Sequence, residues 1–118
     1  MFLILFVLHD PEKMRDVLQA WEDAGVGGIT IIPSTGIGRL KSGEVLREDL
    51  PLIPSLDDLM RVHETTNRTL LSIVKDDAMV DRVVKATESV TGDLNTPNTG
   101  ILTVIPVART YGLDRKSE

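Results

Sequence analysis

Apolar and polar positions alternate along this chain in two stretches that share one grammar. Residues 2–8, FLILFVL, form a continuous apolar run, as expected of a central strand covered on at least one face. Asp10 then offers a side-chain cap, Pro11 suits the first helical position, and Glu12 favours the positive end of a helix dipole. Met14, Val17, Leu18 and Trp21 follow at i, i+3, i+4 and i+7, one stripe of an amphipathic helix. Gly25 closes it, because glycine reaches the left-handed conformation cheaply. A second strand is predicted over 28–33.

The second stretch repeats the pattern. Residues 68–75, RTLLSIVK, read as a strand, and Asp76 or Asp77 caps the helix behind it. Met79, Val80, Val83, Val84, Thr87 and Val90 mark that helix's inner face, Gly92 ends it, and a last strand runs over 100–107. Pro106 is tolerable there only near a strand end or a sheet edge. The order β-α-β, long interruption, β-α-β predicts one α+β domain over residues 1–118. Two interleaved right-handed βαβ halves give a ferredoxin-like βαββαβ fold: a four-stranded antiparallel sheet with both helices on one face. The other face would then be bare and apolar, so self-association is expected of the sequence itself.

The interruption, residues 39–67, is far longer than the two to five residues a hairpin needs. It is rich in charge, and Pro51 and Pro54 divide it. Ser55 could cap a short helix over 55–64, with Leu56, Leu59 and Met60 on one side and the Asp57-Asp58 pair in its first turn. Long insertions of this kind are usually functional.

Composition narrows the function classes. The 118 residues carry a net charge of −5 and only four aromatic rings (two Phe, one Tyr, one Trp), which argues against a nucleic-acid interface. No cysteine is present, which fits a cytoplasmic protein. The opening MFLILFVL lacks a basic flank and a cleavage site and is too short to span a bilayer, so it reads as a buried strand and no membrane insertion is expected.

Candidate chemistry is sparse. GIGRLKSG does not fit a P-loop, since Leu40 precedes Lys41-Ser42 and no helix follows directly. What stays is Gly36-Ile37-Gly38-Arg39 at a strand end, where glycine backbone N–H groups and an arginine fork could meet an anion. Taken alone, a plain strand-ending turn is the simpler reading. Residues 91–100, TGDLNTPNTG, form a second polar turn in which Asn95, Thr96, Asn98, Thr99 and Gly100 offer donors; taken alone it is a helix terminator. His63-Glu64 is a weak metal candidate without a further ligand nearby, and His9 reads as a surface histidine. No nucleophile elbow or acid–base pair stands out, so an enzyme is not expected.

Together these segments resemble the PII nitrogen-regulatory signalling proteins. The likeness rests on Gly28-Ile29-Thr30 leading to Gly36-Ile37-Gly38-Arg39, then a long loop, then VKDDAMVDRVVKATESVTGD entering the last strand. It covers nearly the whole chain, to about residue 107. The resemblance implies a homotrimer that binds an adenine nucleotide (ATP, ADP or AMP, or another nucleotide) in clefts between subunits. It implies that residues 39–67 are the T-loop, which contacts a membrane transporter or metabolic enzyme. Carried over by position, Thr30, Gly36, Ile37, Gly38, Arg39 and Ile73 would line the effector site, with Asn98, Thr99 and Gly100 in the second turn. Lys41, Arg47, Asp57, Asp58 and Arg61 would belong to the partner-contacting loop.

The chain departs from the family pattern in several places. Leu40 stands in place of a glutamine that serves magnesium, and Arg47 in place of the modifiable tyrosine. NTPNTG replaces a lysine-bearing phosphate turn, and Arg109 and Arg115 are the only stand-ins for a C-terminal arginine pair. A fold-sharing alternative is a CutA-like metal-binding or structural trimer without nucleotide sensing.

Overall fold

The computed structural model describes residues 1–36 and 67–113. The expected loop at 39–67 and its helix at 55–64 fall outside them, apart from Asn67. Strand β1 (Phe2–Leu8) leads through a single 3-10 turn at Pro11–Lys13 into helix α1 (Met14–Ala24) and then strand β2 (Thr30–Ser34). Strand β3 (Asn67–Val74), helix α2 (Asp77–Thr91) and strand β4 (Gly100–Pro106) repeat that order.

The predicted caps do their work. An oxygen of Asp10 accepts the Glu12 N–H at 3.0 Å, and Asp76, rather than Asp77, accepts the Met79 N–H at 2.9 Å. The helix expected from Pro11 opens as 3-10, and α-geometry begins at Met14. At the far end Gly25 turns with φ +107°, its N–H reaching the Glu22 carbonyl while Val26 N–H reaches that of Trp21, a Schellman closure.

The sheet has the order β2-β3-β1-β4 with every neighbouring pair antiparallel, which is the ferredoxin-like arrangement. Strand bounds differ from the expectation by one or two residues, as strand ends commonly do. Pro106 is the last residue of an edge strand, and Pro33 sits in the other edge strand.

Pairing register separates two faces. Ile4, Phe6, Leu8, Leu70 and Val74 are buried beneath the helices with Val17, Trp21, Val80 and Val83. The deepest polar contact joins the two halves: Trp21 Nε1 donates to Thr87 Oγ1 at 2.8 Å, and that hydroxyl donates onward to the Val83 carbonyl at 2.7 Å. Thr87 therefore holds an inward position not as an apolar residue but as the partner a buried indole N–H requires. The alternate residues, among them Leu3, Leu5, Val7, Leu71 and Ile73, point to the opposite side. There no described element covers them, and Ile32, Ile101 and Ile105 on that side remain 44%, 60% and 42% exposed.

Candidate functional site

The described residues picked out by sequence fall in two groups on this sheet. Thr30 pairs with Leu71, midway along β3, and Ile73 pairs with Leu3, near the end where β1 begins and β3 finishes. Gly36 lies beyond the Ser34–Asn67 pair, and Gly100 pairs with Leu8, at the other end. Along β3 the two groups come within three residues of each other, from Leu71 to Arg68, a span of ~10 Å at ~3.3 Å per residue.

At the first end an open groove of about 830 Å³ is bordered by Gly27, Gly28, Thr30, Ile73, Lys75 and Arg82, with Met79 and Leu113 also against it. The sequence placed Thr30 and Ile73 there; Lys75 and Arg82 carry no pattern that singles them out among other surface cations. The groove's wall is set by one buried hydroxyl. Ser72, a buried polar residue on the helix-facing side of β3, donates to the Gly28 carbonyl at 2.6 Å and fixes the α1–β2 loop against the sheet. A Cβ at Gly27 or Gly28 would meet nothing within 4 Å, so these positions leave bare backbone facing open space. Such backbone is accessible to a planar ligand at close range.

At the second end the turn after α2 is built on hydrogen bonds of its own. Leu94 N–H donates to Glu88 Oε2 at 3.0 Å, Asn95 N–H to Asp93 Oδ1 at 2.9 Å, and Thr96 N–H to the Asp93 carbonyl at 3.0 Å. Thr99 Oγ1 donates to the carbonyls of Leu94 and Thr96, and the Thr99 carbonyl accepts from His9 N–H. Asn98 is exposed and takes a positive φ of 65°, a conformation asparagine tolerates better than most residues. His9, expected at the surface, is half-buried beside this turn.

Gly100 has a structural reason of its own. Its φ is +149°, and a Cβ there would stand 2.5 Å from the Val7 carbonyl oxygen and 2.7 Å from the Phe6 ring. The close approach that glycine permits at this position is to β1. Gly36 is less constrained: a Cβ on it would meet Asn67 Nδ2 at 3.7 Å, ordinary contact.

Ile37, Gly38 and Arg39 lie outside the described residues. So do the loop positions Lys41, Arg47, Asp57, Asp58 and Arg61 and the metal candidates His63 and Glu64. Among the described residues no group of three or more His, Cys, Asp or Glu could hold a metal ion, and no helix is long and apolar enough to cross a membrane.

Comparison with known proteins gives this arrangement its place. Among curated proteins no match is found. The family model for nitrogen regulatory protein P-II matches residues 2–117, essentially the whole chain. A ferredoxin-like sheet with one face that no described element covers, an interruption after β2 and a match of that extent lead to one conclusion: the chain belongs to the P-II nitrogen regulatory protein family.

Proposed function

We propose that the protein is a homotrimeric regulator which binds a small effector, an adenine nucleotide, in clefts between its subunits. The 39–67 loop then carries the ligand state to a partner protein, a membrane transporter or a metabolic enzyme in the cytoplasm. The observation that supports this reading is the separation of the candidate residues: Thr30 lies on β2 and Ile73 on β3, while Asn98–Gly100 lead into β4 on the far side of the sheet. Thr30 and Gly100 sit on strands at opposite sides of the sheet, three strand spacings or ~14 Å apart, so a small ligand touches both groups most readily where two subunits meet. The bare face supplies a reason for neighbours to be there, since Leu3, Leu5, Val7, Leu71, Ile101 and Ile105 present contiguous apolar surface.

In such a cleft the Gly27–Gly28 backbone and Ile73 would face the base, and Arg39 would add a charged fork from the loop root. The effector shifts the loop by as much as it prefers one loop state over another.

The test has two parts. Light scattering should return three times the 13.0 kDa chain mass. Calorimetry with ATP, ADP, AMP and cyclic dinucleotides should find a binder, and Arg39→Ala should weaken it roughly tenfold, the loss of a charge-assisted hydrogen-bond pair. If none of these compounds binds, the nucleotide reading fails; a metal titration against His63→Ala would then decide for the CutA-like alternative.

A further inference from the structure

In the turn that follows α2 the chain's own acidic groups take up backbone donors. Three successive backbone N–H groups, those of Leu94, Asn95 and Thr96, are the turn's potential donors to an anion. Here each already has an acceptor: Glu88 Oε2, Asp93 Oδ1 and the Asp93 carbonyl. The Thr96 and Thr99 hydroxyls are likewise turned inward, onto carbonyls of Asp93, Leu94 and Thr96.

The local field agrees with the hydrogen bonding. The turn sits at the negative end of the α2 dipole, and no basic residue occupies the helix's last turn. Residues 92–100, GDLNTPNTG, contain neither lysine nor arginine. Arg68, which shares this end of the sheet through the pairing of Leu8 with both Arg68 and Gly100, directs Nη1 to the Asn67 carbonyl at 3.0 Å. A phosphate entering here would have to displace two carboxylates and then sit beside them.

We infer that this turn excludes polyphosphate, so that the effector is a nucleoside or a nucleoside monophosphate held through its base and sugar. Glu88 and Asp93 are the specificity-determining residues. The word nucleoside rests on the function proposed above; the exclusion of phosphate rests on the turn alone.

Two measurements keep those apart. The first titrates inorganic triphosphate into the ¹⁵N-labelled full chain and follows the backbone amides of residues 94–96. They should stay in place up to about 10 mM, a level that would saturate a site of ~1 mM affinity. Saturable shifts at those amides would overturn the inference. In the double variant Glu88→Gln, Asp93→Asn, with its fold checked by the same spectrum, the amides should begin to shift. If the variant stays as inert as the parent, the carboxylates are not the barrier and the inference falls. The second measurement is calorimetry across AMP, ADP and ATP, in which AMP should bind at least as tightly as ATP. A tenfold preference for ATP would overturn the inference, whereas absence of binding by all three would remove the nucleotide reading and leave the triphosphate titration to decide the turn.

Discussion

After α1 the chain turns at Gly25 and enters β2; after α2 it turns at Gly92 and enters β4. The two connections occupy equivalent places in the two βαβ halves, and they end in opposite conditions. The first leaves the backbone of Gly27 and Gly28 facing an open groove, anchored from behind by one bond from Ser72. The second consumes its donors on Glu88, Asp93 and nearby carbonyls, and runs directly into a glycine pressed against β1. A repeated topology thus fixes where a loop lies and leaves its polar bookkeeping free to make the loop receptive or closed.

Glycine replacement gives the largest contrast. Gly100→Ala forces a methyl into the Val7 carbonyl at a backbone φ that L-residues avoid, and should cost at least about 3 kcal/mol. Gly28→Ala meets nothing within 4 Å and should change stability by less than about 0.5 kcal/mol. Thermal melts resolve the difference, since each kcal/mol moves Tm by roughly 4–8 °C in a domain of this size. Equal melting temperatures would erase the distinction between the two loops.

The seam between the halves comes next. Thr87→Val keeps the shape but leaves the buried Trp21 N–H without its acceptor, at a cost of about 1–3 kcal/mol. Thr87→Ser retains the hydroxyl and should cost less. A Val variant as stable as the parent in urea would mean that the indole finds another partner.

The smallest effect, on the receptive loop, is the most local. Ser72→Ala removes the bond to the Gly28 carbonyl and should lower stability by about 1 kcal/mol. Its signature is hydrogen exchange, faster at residues 27–30 while residues 94–96 keep their protection. Equal acceleration in both loops would show that Ser72 supports the whole fold rather than one wall of the groove.

Much of this architecture was legible in the residues. Asp10-Pro11 and Asp76 announced helix starts, Gly25 and Gly92 their ends, and the apolar periods separated helix from strand. Those signals are local, so a sequence carries them directly. Thr87's inward place was legible and its partner was not, because Trp21 lies 66 positions away and only packing brings a hydroxyl to an indole at that range. Ser72 was silent for the same reason, its acceptor being 44 positions distant. The candidate residues were picked out as types around two turns, but how far apart the sheet holds them was not readable. That distance depends on β3 lying between β1 and β2, a fact about topology. In the turn of residues 93–99 the donors were visible and their occupants were not, because the peptide conformation decides whether Glu88 can reach Leu94.

The two edge strands carry one further consequence. β2 is five residues long and includes Pro33, and β4 stops at Pro106. Proline cannot donate to a ladder, so β2 lacks an unbroken row of amides on which another chain could template, and β4's row ends at its proline. Copies of this chain are thereby steered away from growing side by side into open-ended fibrils. If copies stack through their apolar faces as proposed above, a rotation axis can bring that stacking to completion after a fixed number of subunits.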